Sequence, residues 1–450
     1  MGNNICKFIG RLSLVSLLCV LSGNFCSAGA TDILYFYSLA LHNDPQLRGS
    51  EYDHLASRET LRQAYAGLLP QISADVSYTY TFQDISNSEN TVYAVGQTDY
   101  NTQSYGVNLT QPLFRYSSFL TVSQAKTILK RSDLELEKAK QDLIMRLSEA
   151  YMEVLSSKDK LAAVVAEETA LTSHYELAKG RADKGLAPIT DLYDAEARLA
   201  AVKAQRVEAE YVVIDSYQAL SEMCGVAVVD TKKLKDEIPL TPPFPNSVDT
   251  WIEAASKQNL ELLIQKAKAE IADKEVARQK AAYYPTLDFQ ADYAYKDTTG
   301  TMFGGGSTTQ NYDLMVKLNI PIYEGGLTTS KKREAESQYQ SALQATIRQT
   351  RTAERKVRST YGGVLSATNR VVAMKKSVEA QQVVVEAKEE GFKAGLLVGL
   401  AVLDAMQDLY KYKKEYSLAR NDYLLNTMRL KYTVGTLGED DLKQINAFLQ

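Results

Sequence analysis

The chain is short of cysteine, of long apolar runs, of charge excess and of proline in two long stretches. Of its four cysteines, Cys6, Cys19 and Cys26 fall near the start, which leaves Cys224 alone in the remainder. No intramolecular disulfide can therefore form in the main body of the chain. Past the first residues, no segment reaches the roughly 18 consecutive apolar residues of a transmembrane helix. Charged residues make up 24% with a net charge of −4, so the basic footprint of a nucleic-acid-binding protein is missing. There is no phosphate-cradling G-x-x-x-x-G-K-[ST]. The three histidines, His42, His54 and His174, are scattered without metal-ligand spacing and read as surface or packing residues. Cys224 has no local partner for nucleophilic chemistry. No cofactor and no enzyme activity are expected.

What is present begins with a processing signal. Lys7 and Arg11 precede a mostly apolar run from Leu12 to Leu21, and Ala28-Gly29-Ala30 supplies a small-residue cleavage site. Residues 1–30 read as a secretory signal peptide with Thr31 as the mature start. Cys26 follows Gly-Asn-Phe, unlike a lipoprotein cleavage box. Losing the leader removes two cations and no carboxylates, which takes the net charge from −4 to −6.

The ten prolines outline the architecture. Pro239, Pro242, Pro243 and Pro245 crowd one polar linker, residues 239–247, between a first repeat (31–238) and a second (248–450). Residues 116–184 and 327–397 hold none, as long helices require, because an interior proline costs about 3 kcal/mol. The stretch 71–82 alternates Gln71, Ser73, Asp75, Ser77, Thr79 and Thr81 with Ile72, Ala74, Val76, Tyr78, Tyr80 and Phe82. That is the period of a strand with one apolar and one polar face. Pro285, Leu287, Phe289, Ala291, Tyr293 and Tyr295 echo Pro70 to Tyr80 at an offset of 215, so the chain holds two copies of one unit. The first copy reads as a helix (46–69), strands over 71–82 and 104–113, a helix to about Lys184, a turn at Gly185–Pro188 and a returning helix ending near Gly225. The second reads as a helix (251–282), strands over 286–296 and 312–320, a helix to about Ala394, a turn at Gly395–Gly399 and a return ending near Val434.

Each strand is about the 9–11 tilted residues that cross a bilayer. Four strands cannot close a barrel, since bacterial barrels begin at about eight, and open edges are not tolerated in lipid. Several chains must then share one barrel, and a dimer or a trimer both meet that requirement. Tyr78, Tyr80, Tyr293 and Tyr295 suit an interfacial girdle. The competing soluble sandwich is disfavoured because four strands beside such helices make a poor globular core. The long helices are too charged for lipid, with seven charged residues between Lys130 and Lys140. They read as packed hairpins with seams such as Leu143, Leu147 and Tyr151, and alanine contacts at Ala195, Ala197, Ala200, Ala201 and Ala204. Gly362-Gly363 reads as a close contact or slight kink rather than a hinge.

The doubled order of helix, strand, strand, long helix, turn and helix resembles the TolC family of bacterial outer-membrane channels. The most specific parts are Gln111-Pro112-Leu113-Phe114, the segment Gly185 to Leu192, and Val402-Leu403-Asp404-Ala405. The resemblance implies a mainly α fold with transmembrane β structure. Four strands per chain would enter a homotrimeric, twelve-stranded outer-membrane barrel, continued by an antiparallel coiled-coil periplasmic barrel. It also implies a periplasmic adaptor and an inner-membrane transporter as partners, in efflux or type I secretion, with no nucleotide chemistry in this chain. The turns would form the periplasmic mouth. Asp404 then reads as a lumenal constriction carboxylate. Asp191 and Asp194 read equally as gate residues or as acids complementing a helix N-terminus. Gly185, Leu186, Gly395 and Leu396 resemble adaptor-docking tips. The sequence departs from the family where a second constriction aspartate is replaced by Ala401 and a gate basic residue by Leu397. A periplasmic adaptor remains the main alternative, although it would carry one hairpin rather than two. A passive porin would need more strands in one chain.

Overall fold

The computed structural model describes residues 32–87, 89, 95–185, 188–301 and 304–450. The signal-peptide expectation for residues 1–30 and the tip residues Leu186 and Ala187 lie outside the described residues.

Two short helices open the chain, α1 (Ile33–Asn43) and α2 (Pro45–Ala66), followed by strands β1 (Gln71–Ile85) and β2 (Gly96–Phe114). A helical hairpin follows, α3 (Tyr116–Asp183) and α4 (Ile189–Cys224). The sequence of elements then recurs as α5 (Val248–Gln258), α6 (Leu260–Lys280), β3 (Thr286–Thr301), β4 (Gly304–Asn319), α7 (Leu327–Lys393) and α8 (Gly399–Val434). A last helix, α9 (Glu439–Ala447), completes the order. At 1.5 Å per residue the 68 residues of α3 run about 100 Å. The returning helices, 36 residues each, cover only part of that length. The part of α3 and α7 nearer the sheet packs instead against α2 and α6. The second long helix passes through Gly362-Gly363 unbroken, with Gly363 beside the Asn426 side chain.

The four strands form one antiparallel sheet in sequence order, so β1 and β4 each keep one edge unpaired within the chain. The register sorts the side chains by face. One face carries the rows Ile72, Leu109, Ala291, Leu314, then Ala74, Val107, Tyr293, Tyr312, then Val76, Tyr105, Tyr295, Gln310. The other carries Ser73, Asn108, Asp292, Asp313 and Ser77, Ser104, Lys296, Thr309. The apolar rows have no cover inside the chain: Val76 is 74% exposed and Leu314 78%. At the sheet's foot the Arg115 guanidinium donates to Asp288 Oδ2 at 2.8 Å, and Gln111 Nε2 donates to the Leu68 carbonyl at 3.0 Å, fixing the passage from strand to helix.

Several expectations need correction. The strands are 15, 19, 16 and 16 residues long, longer than read. Their outer parts, such as Gln97 to Gln103, lack alternation and are held by backbone pairing, with polar side-chain bonds such as Asn101 N to Thr299 Oγ1 at 3.0 Å and Thr102 Oγ1 to Thr298 Oγ1 at 3.1 Å. The helix read over 251–282 is really two, broken at Asn259, and the first copy's helix, α2, is preceded by a short α1 that the sequence reading did not give. Asp44 and Asn259, 215 apart, stand at these breaks as N-caps, accepting from Leu47 N at 2.9 Å and Leu262 N at 2.8 Å. Of the alanines assigned to helix contacts only Ala195 is buried; the α4 seam is Ala195, Leu199, Val202 and Ala209, and the other alanines face away. The Leu143, Leu147 and Tyr151 seam is fully buried, as the spacing predicts.

Each interruption clips onto the end of its own returning helix. Asn43 Nδ2 donates to the Cys224 carbonyl at 2.7 Å, and Asn259 Nδ2 to the Thr433 carbonyl at 2.6 Å. Gly435, at φ 92°, lies so near the second break that a Cβ would fall 2.2 Å from the Gln258 carbonyl oxygen. These clips surround the main core, where Ile33, Phe36, Leu147, Tyr151, Tyr423, Leu424, Leu442 and Ile445 meet. Asp44 also accepts from Arg146 at 2.8 and 3.2 Å. Burial alone would raise its pKa, but the Arg146 hydrogen bonds, the Leu47 N–H and the Arg146 charge outweigh that and hold it below the usual carboxylate value. A depressed carboxyl pKa adds stability above the unfolded value of about 3.9 that is lost as pH falls through the folded one. Asp44→Asn should cost about 1.5–3 kcal/mol at neutral pH, the worth of hydrogen bonds to charged groups. In thermal melts followed by helix circular dichroism across pH, the variant should also lose part of the wild type's acid limb.

The candidate functional site at the helical tips

Both hairpins turn on a left-handed glycine, Gly185 at φ 68° and Gly395 at φ 73°. At the second turn Leu396 N donates to the Gly391 carbonyl at 2.9 Å, closing the end of α7. The residues beyond it are apolar and outward: Leu396 is 81% exposed and Val398 63%.

Behind this crown the two hairpins meet on a ring stack. Phe392 of α7 lies against His174 of α3, with centroids 5.3 Å apart and planes at 26°. The Arg181 guanidinium sits 4.7 Å from the centre of the same Phe392 ring, a cation–π arrangement. Gly399, buried in the first turn of α8, lets His174 approach, since a Cβ there would lie 3.2 Å from His174 Cε1 and 3.7 Å from Asp191 Oδ2. Asp191 therefore stands in the first turn of α4 at this joint, facing the second hairpin, whereas Asp194 is exposed. His174 is 6% exposed and neither ring nitrogen has a hydrogen-bond partner among the described residues. Burial lowers its pKa from the ordinary 6.5, with the Asp191 carboxylate pulling the other way.

A second joint lies one turn further along α8. Leu403, 1% exposed, inserts among Val164, Leu171, Ala195, Leu199 and Val202 of the first hairpin. Its neighbours Val402 and Ala405 pack back onto α7 with Val385 and Phe392. Asp404 is paired rather than bare: Arg198 Nη2 donates to its Oδ1 at 2.6 Å. The Val402-Leu403-Asp404-Ala405 segment thus divides its side chains between both hairpins. Sequence reasoning missed Phe392, Arg181 and Arg198. For His174 a signal existed, because it shares the buried 171, 174, 178 spacing with Leu171 and Ala178. His54, by contrast, pairs with Asp133 at 2.7 Å on the surface. No group of side chains suited to a metal ion occurs among the described residues.

The family model described as outer membrane efflux protein matches residues 36–226 and 251–436. The chain belongs to this family. It is 31% identical to outer membrane protein TolC of Vibrio cholerae over 94% of each chain. It is 27% identical to the proteases secretion protein PrtF of Dickeya chrysanthemi, over 98% of this chain and 96% of that one. The Campylobacter jejuni CmeC outer membrane channel shares the fold with a TM-score of 0.77 and 15% identity, over 93% of this chain and 90% of that one. Two matched halves with two hairpins leave no place for the single-hairpin adaptor reading. As a member of this TolC-like family, the protein resides in the bacterial outer membrane, with its helices on the periplasmic side.

The buried His174 yields a pH prediction for the tips. A depressed histidine pKa means the packed tip favours the neutral ring, so its stabilisation is complete above the unfolded value and is lost as pH falls. Hydrogen exchange of residues 385–405, corrected for intrinsic rates, should show protection falling between pH 7 and 5. His174→Phe should keep the stack and flatten that dependence. Equal pH dependence in both proteins would contradict the assignment.

Proposed function

We propose that three copies of this chain form one outer-membrane exit duct, open outward through a shared twelve-stranded barrel and gated inward at the helical tips. The observation that carries this reading is the sheet itself. It has two free edges and an uncovered apolar face, which in lipid can be satisfied only by closing with other copies. The polar rows, with Asp292 opposite Asp313, then line water. The membrane-proximal ends of α3 and α7 continue the barrel as a tunnel of packed hairpins, and the tips form its inner mouth.

At that mouth Asp404, with Asp191 and Asp194 nearby, makes symmetric sets of carboxylates, a geometry that favours cations. The exposed crown at Gly395 and Leu396, together with the first turn at Gly185 and Leu186, is where a periplasmic adaptor's helical hairpin docks. The adaptor links the duct to an inner-membrane transporter that supplies the energy for efflux or type I secretion. Both branches have support, efflux in the description of the family and secretion in the name of the relative PrtF.

Edge pairing tests the shared barrel. With Val76→Cys on β1 and cysteines placed in turn at Tyr312, Leu314 and Val316 of β4, oxidation in the membrane should give covalent trimers for at least one pair. Only monomers throughout the scan would overturn the proposal. Separately, Asp404→Ala should lower cation preference and block by multivalent cations in planar bilayers, and unchanged selectivity would remove Asp404 from the constriction.

A further inference from the structure

We infer that the bare flank of α4, at Val207, Tyr211 and Ile214, seats on the Gly362 flank of α7 in the next copy of this chain. The two flanks form a seam between copies, midway along the helices, whose register is set by the internal repeat. The inference rests on the proposal that several copies share one barrel, and it names where their helices meet.

The two copies of the repeat differ in burial in a consistent way. α4 and α8 are each 36 residues long and correspond at an offset of 210. The same offset sets buried Leu143, Leu147 and Val154 of α3 on buried Ala353, Val357 and Val364 of α7. Elsewhere the match breaks. On α8, Ser417, Asn421, Leu424 and Met428 are buried, whereas their α4 counterparts Val207, Tyr211, Ile214 and Gln218 are exposed, the first three at 67%, 69% and 54%. On α3, Met145, Ser148 and Met152 are buried, whereas Arg355, Arg358 and Gly362 of α7 are exposed. Each set steps by three or four residues, so each is one flank of a helix. Within the chain the buried flanks meet where α3 packs on α8, as in Asn421 Nδ2 donating to Ser156 Oγ at 2.7 Å and Arg429 Nη2 to Glu149 Oε1 at 2.8 Å. α4 packs on α3, α3 on α8 and α8 on α7, so α4 and α7 end the row with the matching flanks bare. A second copy placed by the same step continues the α3–α8 contact as α7 against α4 and covers both.

Bulk is exchanged between the two seams. Inside the chain α3 supplies Met152 while α8 supplies the smaller Ser417 and Asn421. Between copies α7 supplies Gly362, where a Cβ would meet nothing within 4 Å, and α4 supplies the larger Val207 and Tyr211. Close packing asks for such compensation. It also explains a glycine, a poor helix former, inside an unbroken helix: Gly363 has Asn426 beside it in the chain, and Gly362 awaits a neighbour. The polar positions agree. Tyr432 bonds Asp142 within the chain; their counterparts are Glu222 and Thr352, and Arg348, Arg351 and Arg355 surround Thr352. That face suits a carboxylate from the next copy.

The experiment uses the full chain in its membrane. Ser366→Cys with Tyr211→Cys, the counterparts of Ser156 and Asn421, should oxidise to covalent trimers on denaturing gels, and Thr352→Cys with Glu222→Cys should do the same. Ser366→Cys with Gln218→Cys, two turns out of register, should not, nor should any of these cysteines introduced alone. Gly362→Met gives a second reading. On an exposed helix face methionine is the better helix former, so without a neighbour there the temperature at which the detergent-solubilised trimer dissociates would hold or rise. The seam predicts that it falls, and that adding Tyr211→Ala, which gives back the bulk, restores it. Native trimers that cross-link through the β1 and β4 edges but at neither helix pair, or equally well at the shifted pair, would overturn the seam and leave the shared duct standing. Monomers by native mass and in every cross-linking scan would overturn both. If a cysteine variant fails to assemble, Gly362→Met and its rescue decide, and an unchanged or raised dissociation temperature overturns the seam.

Discussion

A sheet of four strands with two free edges and one bare apolar face cannot exist alone in either solvent. Water would strand Val76, Tyr78, Leu314 and Val316 on its surface, and lipid would strand the edge amides and carbonyls of β1 and β4. The chain resolves this by being a segment of a larger barrel, and its remaining architecture follows from that constraint. Strand-to-helix joints such as Arg115–Asp288 tie the foot of the sheet to the start of the long helix. Those helices can stay charged because they leave the bilayer.

Duplication makes the tunnel possible with one polypeptide. Each copy supplies a strand pair, a long helix and a shorter return, and the shorter return leaves a length of long helix that α2 or α6 must cover. The interrupted helices are what hold these layers in register. Asp44 and Asn259 end one helix and begin the next, while Asn43 and Asn259 fasten the breaks to Cys224 and Thr433 at the ends of α4 and α8. The core therefore lies midway along the molecule, and the tips, far from it, are joined among the described residues by the ring stack with Arg181 against Phe392, the Leu403 seam and the Arg198 fork. That distribution of contacts suits a rigid wall with a mouth able to move.

Much of this was legible in the residues. The strand starts at Gln71 and Thr286 follow from alternation beginning just after a proline, and the hairpin turns from glycines at the ends of proline-free runs. The outer strand halves were not legible, since Gln97 to Gln103 do not alternate and owe their conformation to their partners across the ladder. The break at Asn259 carried a local signal, a capping residue, that the helical pattern on either side obscured, and Asp44-Pro45 marks the helix start that the reading placed at 46. At the tips the sequence pointed to Asp404 but not to what holds it. Arg198 is 206 residues away, and nothing in its own helix distinguishes it from a solvated cation. Phe392 likewise reads as an ordinary seam residue until His174 and Arg181 are seen against its ring.

The most direct test of the shared barrel is the location and native mass of the mature protein, obtained by fractionating cells and extracting in mild detergent. A particle of three chains in the outer-membrane fraction is the predicted result. A single chain in the soluble periplasmic fraction, or a monomer in the inner membrane, would contradict it.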